Sequence, residues 1–384
     1  MTDLEQTLDR VAKAPRDGLI MLLKVIQKSP APALASGAVS RHVVDALQQN
    51  LENREVQRWG AAALEELFRR CAVVDPESAA AALLAAARAH LPAVEVQRWC
   101  FSALVCALEL GEETETDSVV LTMRILEQDA MSLLASALQL HKGSPSLLES
   151  ALSLVACLVM DGGDAAADEA FRTGVLGSVL STLSQTLDTA PESPDGGGFA
   201  LAADASLQQA CLRALWAISE SNGELGATEI AADNGLEVIL ATLKQEQAHV
   251  DVHKWCASVL QSLLAQGGDL VAESAVQQHA PEALVASLAK HGSHMDLAER
   301  CAAALATLAA HDFGALAVVE AGGLSAVTAL AAASEGAEGA DLGRWHLALQ
   351  EAVASAEVGE EKDGTLAHEE PQSQEVPGME DVEL

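Results

Sequence analysis

Four kinds of residue in this chain could do chemistry. The pair His291 and His294 in "HGSH" could offer two imidazoles to a metal, but no third ligand lies nearby in sequence. The stretch is expected to be a solvated loop between helices. The carboxylates of "DGGD" (Asp161–Asp164) bracket two glycines, yet the rest of a calcium loop is missing, so a turn is expected. The seven cysteines include no CxxC pair. Cys100, Cys211, Cys256 and Cys301 read better as small buried hydrophobes than as nucleophiles or ligands. No HExxH, GxxxxGK, GxSxG or strand-following GxGxxG occurs, so no enzymatic activity, cofactor or metal is expected. The fourth kind is a basic residue followed by tryptophan: Arg58–Trp59, Arg98–Trp99, Lys254–Trp255 and Arg344–Trp345. An indole face beside a cation stacks on planar groups and draws carboxylates, which is the chemistry of recognition.

Those pairs account for four of five tryptophans in a chain with only 22 basic residues, so chance adjacency explains them poorly. Duplication explains them better. The pentapeptide "EVQRW" occurs at Glu55–Trp59 and again at Glu95–Trp99. A wider template surrounds it: a branched residue or Leu at position 0, a small residue at +4, and apolar residues near +8 and +11. Val56/Gly60/Leu64/Leu67, Val96/Cys100/Leu104/Ala107 and Leu147/Ala151/Val155/Leu158 fit it. So do Leu207/Cys211/Leu215/Ile218, Val252/Cys256/Leu260/Leu263 and Leu297/Cys301/Leu305/Leu308. A weaker copy starts at Leu342, with His346 and Gln350 departing from it. This spacing is the stripe of one buried helix face. At about 100° per residue the stripe spans roughly 0–80°, +3 lies near 300° and +2 near 200°. Each Trp therefore borders the buried stripe, and each Arg or Lys stands clear of it.

A second helix precedes most copies, as in "ADNGLEVILAT" from Ala232 and "EAGGLSAVTAL" from Glu320, with Gly at the kink. In "QHAPEALVASL" from Gln278, Ala280 replaces the Gly and Pro281 opens the helix. A shorter first helix comes before that, as in "DLVAESAVQQ", where Asp269 is a plausible N-cap. The stretch Glu77–His90 has no such kink and reads as part of a two-helix hairpin. With these residues in view, the chain resembles armadillo repeats from about Asp17 to Ala356. The resemblance implies an all-α, right-handed superhelical solenoid of about seven three-helix units spanning residues 1–356. Units of this kind bury their apolar stripes only by stacking on neighbours. It also implies that third helices line a concave groove, with +3, +6 and +10 facing it. Import-receptor members of the family carry Trp at +6 and Asn at +10. Here +6 is Ala62, Ser102, Ser153, Arg213, Ser258 and Ala303, so that ladder is absent.

The formal net charge is −34. Such a balance argues against nucleic-acid binding. Residues 357–384 are expected to be a disordered acidic tail, and the Pro- and Gly-rich residues 188–204 a long flexible insertion. No uninterrupted apolar run of about 18 residues suggests a membrane span. An odd number of cysteines with no CxxC pair fits a cytoplasmic or nuclear setting. The expected function is a non-enzymatic scaffold or adaptor. Arg58, Trp59, Arg98, Trp99, Lys254, Trp255, Arg344 and Trp345 would bind an extended or helical segment of another protein. A chaperone cofactor or assembly factor, or a structural subunit of a large cytoskeletal or ciliary complex, is the alternative.

Overall fold

The computed structural model describes residues 3–29, 34, 37–109, 118–187, 204–245, 248–311, 313–333 and 340–366. Among them are twenty helices and no strand. In chain order these are α1 (Asp3–Lys13), α2 (Pro15–Lys28), α3 (Ala38–Gln49), α4 (Arg54–Arg69) and α5 (Pro76–Ala89). Then come α6 (Val94–Glu109), α7 (Ser118–Leu126), α8 (Ala130–Leu140), α9 (Pro145–Arg172) and α10 (Val175–Gln185). Next are α11 (Ala205–Ser221), α12 (Gly223–Ala232), α13 (Gly235–Leu243), α14 (Val250–Gln266) and α15 (Gly268–Gln277). The last are α16 (Ala280–His291), α17 (Met295–Ala309), α18 (Gly314–Glu320), α19 (Gly323–Ala333) and α20 (Ala340–Leu366).

The template predicts the long helices well. All seven copies lie on helices that begin two residues before position 0: α4, α6, α9, α11, α14, α17 and α20. Positions 0, +4, +8 and +11 of the first six copies are buried. In the seventh, Leu342 and Val353 are buried, His346 is half-buried and Gln350 is exposed. The small +4 residue has a steric cause. A Cβ on Gly60 would sit 2.4 Å from Cδ2 of the buried Leu47, so a side chain there would force Leu47 to shift where α4 lies against α3.

Each long helix packs on the next, from α4 through α6, α9, α11, α14 and α17 to α20. A second file of contacts links α3, α5, α8, α10, α13, α16 and α19 in the same order. Shorter helices flank these files, with α12 against α15 and α15 against α18. One continuous apolar core therefore runs through the array. Its cost in chain entropy is met only by summing many buried Leu, Val and Ala side chains.

The joints explain the punctuation. The residue before the second-file helix is left-handed at Gly37, Asp129, Gly174, Asn234, His279 and Gly322. In "ADNGLEV" the left-handed residue is thus Asn234, not Gly235, and Asn, Asp and His tolerate that region better than other side chains. Gly235 is required for another reason: a Cβ there would lie 2.4 Å from the Ile230 carbonyl oxygen. Asp269 is not the N-cap of α15, which starts one residue earlier; it sits exposed in the first turn. The unit containing α5 and α6 has two described helices, as its missing kink suggests.

Helix α9 is long and apolar enough by length and composition to cross a membrane. It is broken at Gly163 (φ 59, ψ −149), where "DGGD" was expected to turn, and it packs between α6 and α11. That is the behaviour of a core helix followed by a short one. Helix α20 continues through residues 357–366 of the acidic stretch. Residues 188–203 of the insertion and 367–384 of the tail lie outside the described residues. Asp204, at the insertion's end, caps α11 by accepting from the Leu207 N–H at 3.2 Å.

Candidate partner-binding face

The pentapeptide's residues divide the work of one joint. Val56 and Val96 enter the core. Gln57, fully buried at +1, donates from Nε2 to the carbonyls of Leu47 (2.9 Å) and Asn50 (2.7 Å). Gln97 donates likewise to the carbonyls of Ala87 and His90. These carbonyls lie at the C-terminal ends of α3 and α5, where those of Leu47, Asn50 and His90 also accept a backbone N–H, so the Gln clasps each second-file helix to its long helix. Gln208 and His253 occupy the same +1 position. Gln208 donates to Thr186 Oγ1 and Gln245 Oε1, and the His253 ring lies 3.0 Å from Ser287 Oγ.

The basic residues at +2 are not free cations. Arg58 reaches Glu95 of the next long helix at 3.6 Å, and Arg98 reaches the same carboxylate at 3.2 Å. Lys254 pairs with Asp296 at 2.9 Å, again at the start of the next long helix. That contact holds the Asp296 carboxyl below its ordinary range. Such partly exposed pairs are worth roughly 0–1 kcal/mol each. They act as staples between neighbouring helices and lessen the pull of this face on an acidic ligand.

Each Trp at +3 is half-buried, with one side against the core. Arg98 stacks on Trp99 with its Cζ 4.0 Å from the ring centroid. Arg58 lies 5.0 Å from Trp59, and Arg344 lies 4.6 Å from Trp345. The Trp59 indole N–H is buried and has no acceptor among the described residues. Trp255 departs from this scheme. Its cation is Arg213, 6.0 Å away on α11, and its ring meets Trp216 of α11 at 5.8 Å and 57°.

Trp216 did not stand out in the sequence, because it lies at +9 and follows no basic residue; Arg213 stands at +6 of the same helix. The signal was a cross-unit one, a +9 side chain meeting the +3 side chain of the following copy. Together they line a recess of about 200 Å³ with Glu109, Cys157, Met160 and Asp161. Glu109 holds Arg213 at 3.7 Å. The recess therefore offers two tilted indoles, an exposed thioether and carboxylates within a single opening. Arg344 and Trp345 line another opening with Asp296, Glu299, Arg300 and Gln261. The eight residues anticipated from the sequence thus fall on one file of helices, but at separate stations along it.

The histidines and cysteines resolve differently. His253 packs on His291 with ring centroids 4.7 Å apart, and His291 faces His294 at 6.4 Å. Among the described residues no group of three or more His, Cys, Asp or Glu could hold a metal ion. Burial pushes the thiols of Cys100, Cys211 and Cys256 well up, and that of Cys301 up to about 12, which makes them inert packing groups.

The histidine contact carries a pH prediction. Burial lowers His253 to about 4, with His291 and Lys290 adding to the shift. His291 is lowered too, by burial and then by Lys290, His294 and His249. Both rings are therefore held neutral in the folded chain. An unfolded His protonates near about 6.5, so stability is full above that pH and falls as pH drops toward about 4. Urea midpoints measured across this window should decline in the wild type and decline less in His253→Gln. Equal slopes would show that the ring pair does not govern acid sensitivity.

In comparisons with known proteins, no family model matches this chain and no curated protein is significantly similar to it.

Proposed function

We propose that the chain is a right-handed solenoid of about seven armadillo-like units and works as a non-enzymatic interaction scaffold. The observation that carries this reading is the unbroken file of long helices whose half-buried indoles share one position, Trp59, Trp99, Trp255 and Trp345. An extended or helical segment of another protein lies along that file. Its strongest station is the Trp216–Trp255 recess, because buried aromatic contacts dominate binding energy at protein interfaces. The indoles supply apolar area. The basic residues serve mainly to hold successive helices in register, since their carboxylate partners come from this chain.

The test is affinity purification of partners on full-length wild type, Trp255→Leu and Trp99→Leu, with captured proteins compared by mass spectrometry. Each variant should remain folded, since leucine still fills the core-facing side. Partner recovery should fall by about tenfold or more for Trp255→Leu and less for Trp99→Leu. Equal recovery on all three folded chains would remove the indole file from consideration as the binding face.

A further inference from the structure

The flanking short helices carry a feature that the proposed binding face does not use. In each of five units an exposed residue directly precedes a buried pair, and it is apolar every time: Val120, Ala165, Leu225, Leu270 and Phe313. Leu270 is 79% exposed and Leu225 is 50% exposed. Neighbouring short helices touch, so the positions form a row. Asn222, beside α12, donates to Asp168 of α9 at 2.7 Å, and the ring of His311, beside α18, lies 2.7 Å from Asp269 of α15. Repetition of an exposed apolar side chain at one position is not the scattered exposure that needs no explanation.

The rim of this row is acidic. Asp164, Asp168, Glu224, Glu229, Asp269 and Glu273 lie on the same helices and are exposed. The bases there already have partners: Arg172 pairs with Glu169, and Arg124 with Glu127 and Glu77. Charge selects the occupant. A second copy would oppose one acidic rim to another, and the chain's own acidic C-terminal residues would be repelled. An anionic lipid surface fails for the same reason.

We propose that this row is a second interaction surface, separate from the indole file, and that it takes a cationic amphipathic helix of a partner protein. Packed helices lie about 8–10 Å apart, and a helix advances about 10.5 Å in seven residues. Apolar residues at i, i+7 and i+14 of the partner therefore meet Leu225, Leu270 and Phe313 in turn. Lys or Arg beside them meet Glu224, Asp269 and Glu273.

The experiment uses the full-length chain and a fluorescein-labelled synthetic helix with Leu at every seventh position flanked by Lys. A scrambled peptide of the same composition is the control. The ordered peptide should bind more tightly than the scrambled one. Leu225→Gln/Leu270→Gln should weaken it by more than about tenfold while far-UV circular dichroism is unchanged. Glu224→Gln/Glu273→Gln should flatten the salt dependence of binding, and Trp255→Leu should leave binding as it was. Equal binding of both peptides, binding of neither, or indifference to the paired Leu variant overturns the proposal. So does self-association of the wild type that the paired Leu variant abolishes, which would make the occupant a second copy. Flotation with phosphatidylcholine/phosphatidylserine vesicles, lost in that variant, would make it a lipid surface instead.

Discussion

Truncating Leu260 to Ala should lower the stability of this protein by about 2–5 kcal/mol, toward the upper end of that range. Leu260 is fully buried at +8 of α14, and α14 is packed between α11 on one side and α17 on the other. Neither neighbour can collapse into the space without giving up its own contacts. Leu349→Ala is the instructive comparison. Leu349 is equally buried, but among the described helices α20 has long-helix support only from α17. The terminal helix can shift toward the vacancy, so the loss should fall near the lower end of the range. Urea unfolding gives the two values. Amide hydrogen exchange shows where they act: Leu260→Ala should speed exchange in α11, α14 and α17 together, and Leu349→Ala chiefly in α20. If the two variants cost the same and both spread throughout the chain, stability is not passed from neighbour to neighbour as the contacts suggest.

That neighbour-by-neighbour arrangement also explains what could be read from the residues alone. A 3.6-residue period is a local property, so Val252, Cys256, Leu260 and Leu263 announce a buried helix face without reference to anything distant. The small +4 slot was equally legible, because it recurs at a fixed place in the same periodic stripe. Joints were legible only in part. A search for glycine finds Gly174 and Gly322, misplaces the joint at Asn234 by one residue and misses the one at Asp129, while the joint at His279 is signalled by Pro281 instead. Those three polar residues adopt the left-handed region without being glycine.

Contacts between units were the least legible. Trp216 meets Trp255 across 39 residues of chain, and His253 meets His291 across 38. Neither spacing is a helical period. The "EVQRW" repeat shows the same limit from the other side. Its Arg and Trp attract attention as recognition chemistry, and its Gln does not. In the fold, Gln57 and Gln97 are fully buried and bind two carbonyls each, while Arg58 and Arg98 share the carboxylate of Glu95. Much of the motif's repetition thus follows from building the same joint twice. The indoles are half-buried and keep one side toward solvent, and that is why the proposed face rests on them.

A buried charge offers a test with a built-in asymmetry. Glu65, at +9 of α4, is 3% exposed at its side chain, whereas its partner Arg69 is 55% exposed. The carboxylate accepts from Arg69 and, at 2.9 Å, from Ser102 Oγ of α6. Nearby, burial raises the Cys106 thiol, which keeps it from competing as a second anion. Arg69→Ala strands the carboxylate with one hydroxyl donor in a dry site. Breaking a fully buried pair costs about 3–5 kcal/mol; with Arg69 half in water, about 2–3 kcal/mol is expected. Glu65→Leu should cost less, because the guanidinium it releases can turn to solvent and the leucine fills the space. The double variant Arg69→Ala/Glu65→Leu should be more stable than Arg69→Ala alone, since it removes the stranded charge. Urea midpoints of the three variants complete the cycle. Equal losses for the two single variants, or a double variant that merely sums them, would mean that Glu65 is reached by water and that α4 and α6 are less tightly joined than their contacts imply.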